Sequence, residues 1–137
     1  MFFYGTLKTN FHWNAKFLSH SKFISSATTL ENLPLVVGEC GVPYLIGNRP
    51  GEGKKIKGEV WQVDAETLEG LDEYEGIRKG YYCRRKVQVV LEDGETVKEV
   101  EVYMKSKVDP DEFKGQPYLE EYTYEMHKTL YKPIKHI

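Results

Sequence analysis

The sequence predicts an α+β fold: a mostly antiparallel, strongly bent sheet or barrel flanked by two or three helices. Three observations predict it. Short β-branched or alternating apolar runs recur along the chain, each ended by turn residues. Two of these runs, Tyr81 to Leu91 and Thr96 to Met104, bracket the turn sequence Glu92-Asp93-Gly94-Glu95 and read as a hairpin. One segment, Asp64 to Gly76, has helical spacing and a helix-start residue instead.

Taken in order, Met1 to Leu7 reads as a short strand entering a turn at Gly5, and a short helix starts at Asn10 or His12 and runs to Leu18. Phe23 to Leu30 is strand-like and Leu33 to Val37 is a second apolar run. The short segment Gly41 to Ile46 contains Pro43, which cannot donate to a ladder and so belongs at an edge or in a loop. Asn48 to Lys55, with Pro50, Gly51 and Gly53, is loop, and Ile56 to Val63 is a strand. Asp64 suits an N-cap and Glu66 the positive first turn of the helix that follows. Leu68, Leu71 and Glu75 follow at i, i+3 and i+7, and Gly76 is the C-terminal stop. In the hairpin, Val87, Val89 and Leu91 alternate along the first strand and Val100, Val102 and Met104 along the second. The tail from Pro117 to Leu130 is expected to be helical.

The chain of 137 residues has no internal repeat or linker, so residues 1–137 are expected to form one domain. That length buries about two-thirds of the unfolded surface. A net charge of −2 gives no basic face for nucleic acid or anionic membrane, and no apolar run is long enough to span a bilayer. Cys40 and Cys83 stand far apart in no paired motif, which points to inert thiols in a reducing, cytoplasmic setting. Ten tyrosines, apolar in the ring and polar at the tip, suit a core that surrounds a polar pocket.

Several familiar chemistries are excluded. Gly53-Lys54 lacks the earlier glycine and the following Ser or Thr of a phosphate loop, since Asn48 and Lys55 stand there. His12, His20, His127 and His136 have no metal-ligand spacing, so no metal is expected. Ser25-Ser26 sits in a strand-like stretch without a nucleophile elbow.

Two features carry chemistry. In Phe2-Phe3-Tyr4-Gly5-Thr6-Leu7-Lys8 a strand enters a glycine turn, where successive N–H groups can converge on an anion or a polarised carbonyl. An ordinary strand-to-loop turn has the same pattern. In Asp64 to Gly76, Glu75 lies on the stripe marked by Leu68 and Leu71, whereas Glu69 and Glu73 are rotated away. Burial and the helix C-terminus would both raise the pKa of such a carboxylate. A frayed helix end would instead leave Glu75 in water.

Together these residues resemble the gamma-glutamylcyclotransferase-like superfamily, nearest its gamma-glutamylamine cyclotransferase (AIG2-like) branch. The resemblance runs from Phe2-Phe3-Tyr4-Gly5-Thr6-Leu7-Lys8 through Val42-Pro43-Tyr44-Leu45, Gly58-Glu59-Val60-Trp61-Gln62-Val63-Asp64 and Leu71-Asp72-Glu73-Tyr74-Glu75-Gly76 to Tyr81-Tyr82-Cys83-Arg84. It implies a small mixed, mostly antiparallel β-barrel with flanking α-helices and one cavity. It places the essential acid on Glu75 and the cradle for the glutamyl head group on Tyr4, Gly5, Thr6 and Leu7. Val42 and Pro43 fall at the cavity wall and Tyr82 at an aromatic position near it.

The implied activity is cyclisation of a gamma-glutamyl-amine, such as gamma-glutamyl-ε-lysine, to 5-oxoproline and a free amine, with no cofactor. Glu75 would take the proton of the attacking α-amine and return it to the leaving nitrogen. Alternatives are the same chemistry on gamma-glutamyl amino acids or acyl groups, and a non-catalytic small-ligand-binding module. The expected partner is a small molecule, with no nucleic acid and no membrane, and the chain a monomer or weak dimer.

Overall fold

The structure is a computed structural model. It describes residues 1–5, 7–9, 11–38, 41, 43–49, 51–75, 82–105, 108 and 116–130, and for His12, Trp13, Ala15, Glu75 and Leu130 the backbone alone. The elements in chain order are β1 (Phe2–Phe3), α1 (His12–Leu18), β2 (Lys22–Leu33), β3 (Leu35–Val37), β4 (Pro43–Leu45), β5 (Lys54–Gln62), α2 (Ala65–Glu75), β6 (Cys83–Leu91), β7 (Val97–Met104) and α3 (Tyr124–Leu130).

Five strands form a sheet in the order β1-β5-β2-β6-β7, every neighbour antiparallel, and β3 pairs with β4 separately. Backbone hydrogen bonds join the two sheets. Lys105 N donates to Leu45 O at 2.8 Å and Gly47 N to Lys105 O at 2.9 Å, which sets a parallel bridge between Ile46 and Lys105 beyond the end of β7. On the far side, Leu119 N donates to Leu35 O at 2.9 Å and Lys57 N to Glu120 O at 2.7 Å. Pairing therefore continues around β5, β2, β6, β7, β4, β3 and the Leu119 segment back to β5. The curled sheet thus satisfies its edges internally, as a barrel does.

Alternation along the strands makes two cores. Inside the barrel, Phe2, Tyr4, Ile56, Val60, Val87, Val89, Val102 and Met104 are buried, with Leu91 and Val100 packed at their margin. The hairpin pattern read from the sequence is therefore the barrel interior. On the opposite face, Phe3, Trp61 and Tyr103 are covered by Leu18 of α1, Leu71 of α2 and Leu7. The hairpin turns where predicted: Asp93 Oδ1 accepts from Glu95 N at 2.9 Å and Thr96 N at 2.8 Å, and Gly94 supplies a φ of 75°.

Helix α2 forms as the sequence predicts. Asp64 Oδ1 caps Thr67 N at 2.7 Å, Leu71 is fully buried, and Glu69 and Glu73 are exposed. The tail requires a correction: helix spans Tyr124–Leu130 only. Residues 118–121 spend their backbone groups on β3 and β5, and helical hydrogen bonding begins where Thr123 caps Met126 N at 3.2 Å. Among the described residues no helix is long and apolar enough to cross a membrane.

Candidate active site

The glycine loop leaves β1 between the two cores. Tyr4 is buried in the barrel, and its Oη donates to the carbonyl of Tyr103 at 2.9 Å. Gly5 lies against Pro43, the first residue of β4; a Cβ at position 5 would stand 2.9 Å from Pro43 Cγ. The demand for glycine here is a close approach of protein to protein, whereas the sequence reading assigned it to a ligand. Leu7 is buried in the outer core, and its carbonyl accepts from Asn14 Nδ2 of α1 at 2.8 Å. Beyond it, Glu59 Oε1 accepts from Thr9 N at 2.7 Å and Thr9 Oγ1 at 3.0 Å. The described residues on both sides of the turn are thereby anchored. Thr6 lies outside the described residues.

Leu71 of α2 belongs to the same buried cluster as Leu7, and Tyr82 is packed against that cluster. Glu75 is the last residue of this helix, and its side chain lies outside the described residues, as therefore do its expected burial and raised pKa. Its backbone position is nonetheless informative. At roughly 100° per residue, position 75 falls roughly 40° from Leu71 and roughly 60° from Asp72, between the two. Leu71 is fully buried, and Asp72 is bound to the sheet. Tyr103 Oη donates to Asp72 Oδ1 at 2.7 Å, and Arg84 Nε stands 3.1 Å from the same oxygen. Arg84 also meets Glu101 Oε2 at 2.6 Å. Partial burial works against the Arg84 charge, but the Glu101 hydrogen bond and the Asp72 carboxylate outweigh it and raise its pKa.

Tyr82 is half-buried and stacks on Tyr44 at 6.0 Å between centroids, next to the Pro43 that touches Gly5. Val42 lies outside the described residues. Its neighbour Gly41 is held from the other side, where its carbonyl accepts from the buried Tyr122 Oη at 2.6 Å. The structure thus ties Tyr4 to Tyr103 of β7 and sets Gly5 against Pro43, while Leu7 and Leu71 share one cluster with Tyr82 packed against it. A cleft of about 620 Å³ opens beside Lys8, Thr9, Lys57 and Glu59 and contains neither Pro43, Tyr82 nor any residue of α2. The residues that the resemblance assigns to the site do not line it.

Sequence reasoning missed the residues that tie these parts together. Tyr103 carried a visible signal, an aromatic on the strand face that otherwise shows Glu99 and Glu101. Asn14, Lys8 and Tyr122 carried none, because their partners are backbone carbonyls, which residue identity does not mark: Lys8 Nζ donates to Tyr122 O at 2.6 Å.

A small curled antiparallel sheet, with a glycine turn after its first strand and a helix packed on its outer face, defines the class: an α+β half-barrel. A profile of the family described as gamma-glutamyl cyclotransferase, AIG2-like, matches residues 1–128. Gamma-glutamylaminecyclotransferase B of Danio rerio is 40% identical over 119 residues, covering 81% of this chain and 61% of that protein. Gamma-glutamylaminecyclotransferase of Bos taurus is 37% identical over 139 residues, covering 97% of this chain and 81% of that protein. The crystal structure of an AIG2-like protein from Mus musculus superposes with a TM-score of 0.86 at 30% identity, covering 100% of this chain and 97% of that one. The chain belongs to the AIG2-like gamma-glutamyl cyclotransferase family.

Proposed function

We propose that this chain is a gamma-glutamylamine cyclotransferase that acts as one cytoplasmic domain, monomeric or weakly dimeric, on small gamma-glutamyl substrates. The observation that supports the proposal is that Leu7, two residues beyond Gly5, and Leu71, four residues before Glu75, belong to one buried cluster. Similarity to relatives named for this activity supports it.

The reaction is an intramolecular aminolysis. The α-amine nitrogen attacks the γ-carbonyl carbon, a ring C–N bond forms, and the bond from that carbon to the leaving nitrogen breaks. The attacking nitrogen, an ammonium at first, gives up two protons and the departing nitrogen takes up two, leaving as an ammonium; Glu75 carries them in turn. An ordinary α-amine has a pKa near ~8 and an ordinary Glu near ~4.3, so the first transfer costs about 5 kcal/mol. Raising the Glu pKa by roughly two units removes about 2.7 kcal/mol of this. N–H groups of the Tyr4–Leu7 turn face the oxyanion; each such donor is worth ~3 kcal/mol. Folding the glutamyl chain so that nitrogen meets carbon supplies several more, on the order of 7 at best. These contributions suffice without a covalent nucleophile on the protein, a metal or a cofactor.

The test is an assay of 5-oxoproline release from gamma-glutamyl-ε-lysine, gamma-glutamyl-alanine and glutathione. Preferred turnover of the first is expected. Binding of 5-oxoproline with no turnover of any donor would make the chain a binding module instead.

A further inference from the structure

Resting on that reading, we infer that Tyr103 is a positioning residue that sets the glycine turn and the Glu75 helix in register. It is bonded to both parts: its carbonyl accepts from Tyr4 Oη at 2.9 Å, and its hydroxyl donates to Asp72 Oδ1 at 2.7 Å. The two bonds leave the same strand on opposite sides, one from the backbone and one from the side chain.

The need for such a tie follows from the packing. Leu71 sets how deep α2 sits, but apolar contact is non-directional and leaves the helix free to rotate or slide by a fraction of a turn. A hydrogen bond is directional, and one to a helix residue sets rotation about the axis. Asp72 lies one turn before Glu75 on an adjoining azimuth, so fixing Asp72 fixes where position 75 points. Arg84, braced by Glu101, holds the same Asp72 oxygen at 3.1 Å and orients the acceptor for Tyr103. A displacement of about 1 Å at a reacting group can cost on the order of 100-fold in rate. A tie of this kind therefore acts on the chemical step more than on binding.

Tyr103→Phe keeps the ring in the outer core and removes the bond to Asp72. We expect kcat to fall by roughly 10- to 100-fold, with KM held within about twofold. Tyr103→Phe combined with Asp72→Asn should lose little beyond the worse single variant, because both act through one bond. A purely structural strut would lower the unfolding midpoint and leave kcat of the folded enzyme within twofold of wild type; that result overturns the inference. Glu75→Gln measured alongside separates the two levels. If Glu75→Gln is inactive and Tyr103→Phe is normal, only the positioning role fails. If Glu75→Gln turns over normally, the proposed function fails and this inference with it.

Discussion

Pro43 closes on Gly5 so tightly that a β-carbon at position 5 would lie 2.9 Å from Pro43 Cγ, closer than side chains tolerate. Pro43 is itself buried and starts β4, so it has no free end to swing aside. Gly5→Ala must therefore move the turn or the strand. Overpacking of this kind costs about 1–3 kcal/mol, and we expect that loss in urea denaturation together with a fall in kcat/KM for 5-oxoproline release. A Gly5→Ala variant with wild-type stability and turnover would show that the contact yields freely.

Tyr122 holds Gly41, two residues before Pro43. Its Oη is buried and donates to Gly41 O at 2.6 Å, and His127 Nδ1 lies 3.2 Å away. Tyr122→Phe leaves that carbonyl without the bond and should cost about 1–3 kcal/mol. If Val42 and Pro43, next to Gly41, line the cavity as the resemblance implies, KM should rise while kcat changes little. Steady-state kinetics on the purified variant checks the split; a fall in kcat at unchanged KM would move Tyr122 from the wall to the chemistry.

Lys8 gives the fold a pH signature. Burial lowers its pKa, outweighing the raising pull of Glu121 and Glu59. The folded-state value thus lies below the unfolded one, and between them the unfolded chain binds more protons. Stability from this group rises with pH through that window, up to the ordinary lysine value near ~10.4. Relative to Lys8→Met, wild-type protein should gain in urea midpoint between neutral pH and that value. A constant difference across the range would remove Lys8 as the cause.

The helix cap titrates in the opposite direction. The Thr67 hydrogen bonds lower the Asp64 pKa below its ordinary value of 3.8. Stability from the cap is present above that value and is lost as pH falls through the folded-state pKa. Asp64→Ala should therefore be less stable than wild type at pH 7 and should converge with it in strong acid. Parallel acid titrations of thermal midpoints would reveal the convergence.

These residues also mark what was legible in the sequence. Asp64, Leu71 and the hairpin were readable because a cap, a helical stripe and a period-two strand are local patterns. The loop and helix of the site were readable as pieces, and the resemblance joined them. Their attachment was not readable: Tyr4 to Tyr103 and Lys8 to Tyr122 are side chain-to-carbonyl bonds, and a carbonyl acceptor leaves no mark in residue identity. The tail misled for a related reason. Residues 118–121 carry ordinary helix-compatible side chains, but the open edges of β3 and β5 claim their backbone groups first.

Glu75 as proton carrier is tested most directly by the rate of 5-oxoproline release from gamma-glutamyl-ε-lysine by Glu75→Gln, with folding verified by circular dichroism. Removing a positioned acid–base group should lower kcat by about 10²- to 10⁴-fold while the fold persists. Turnover within a few-fold of wild type would contradict the assignment and leave the barrel without its proposed base.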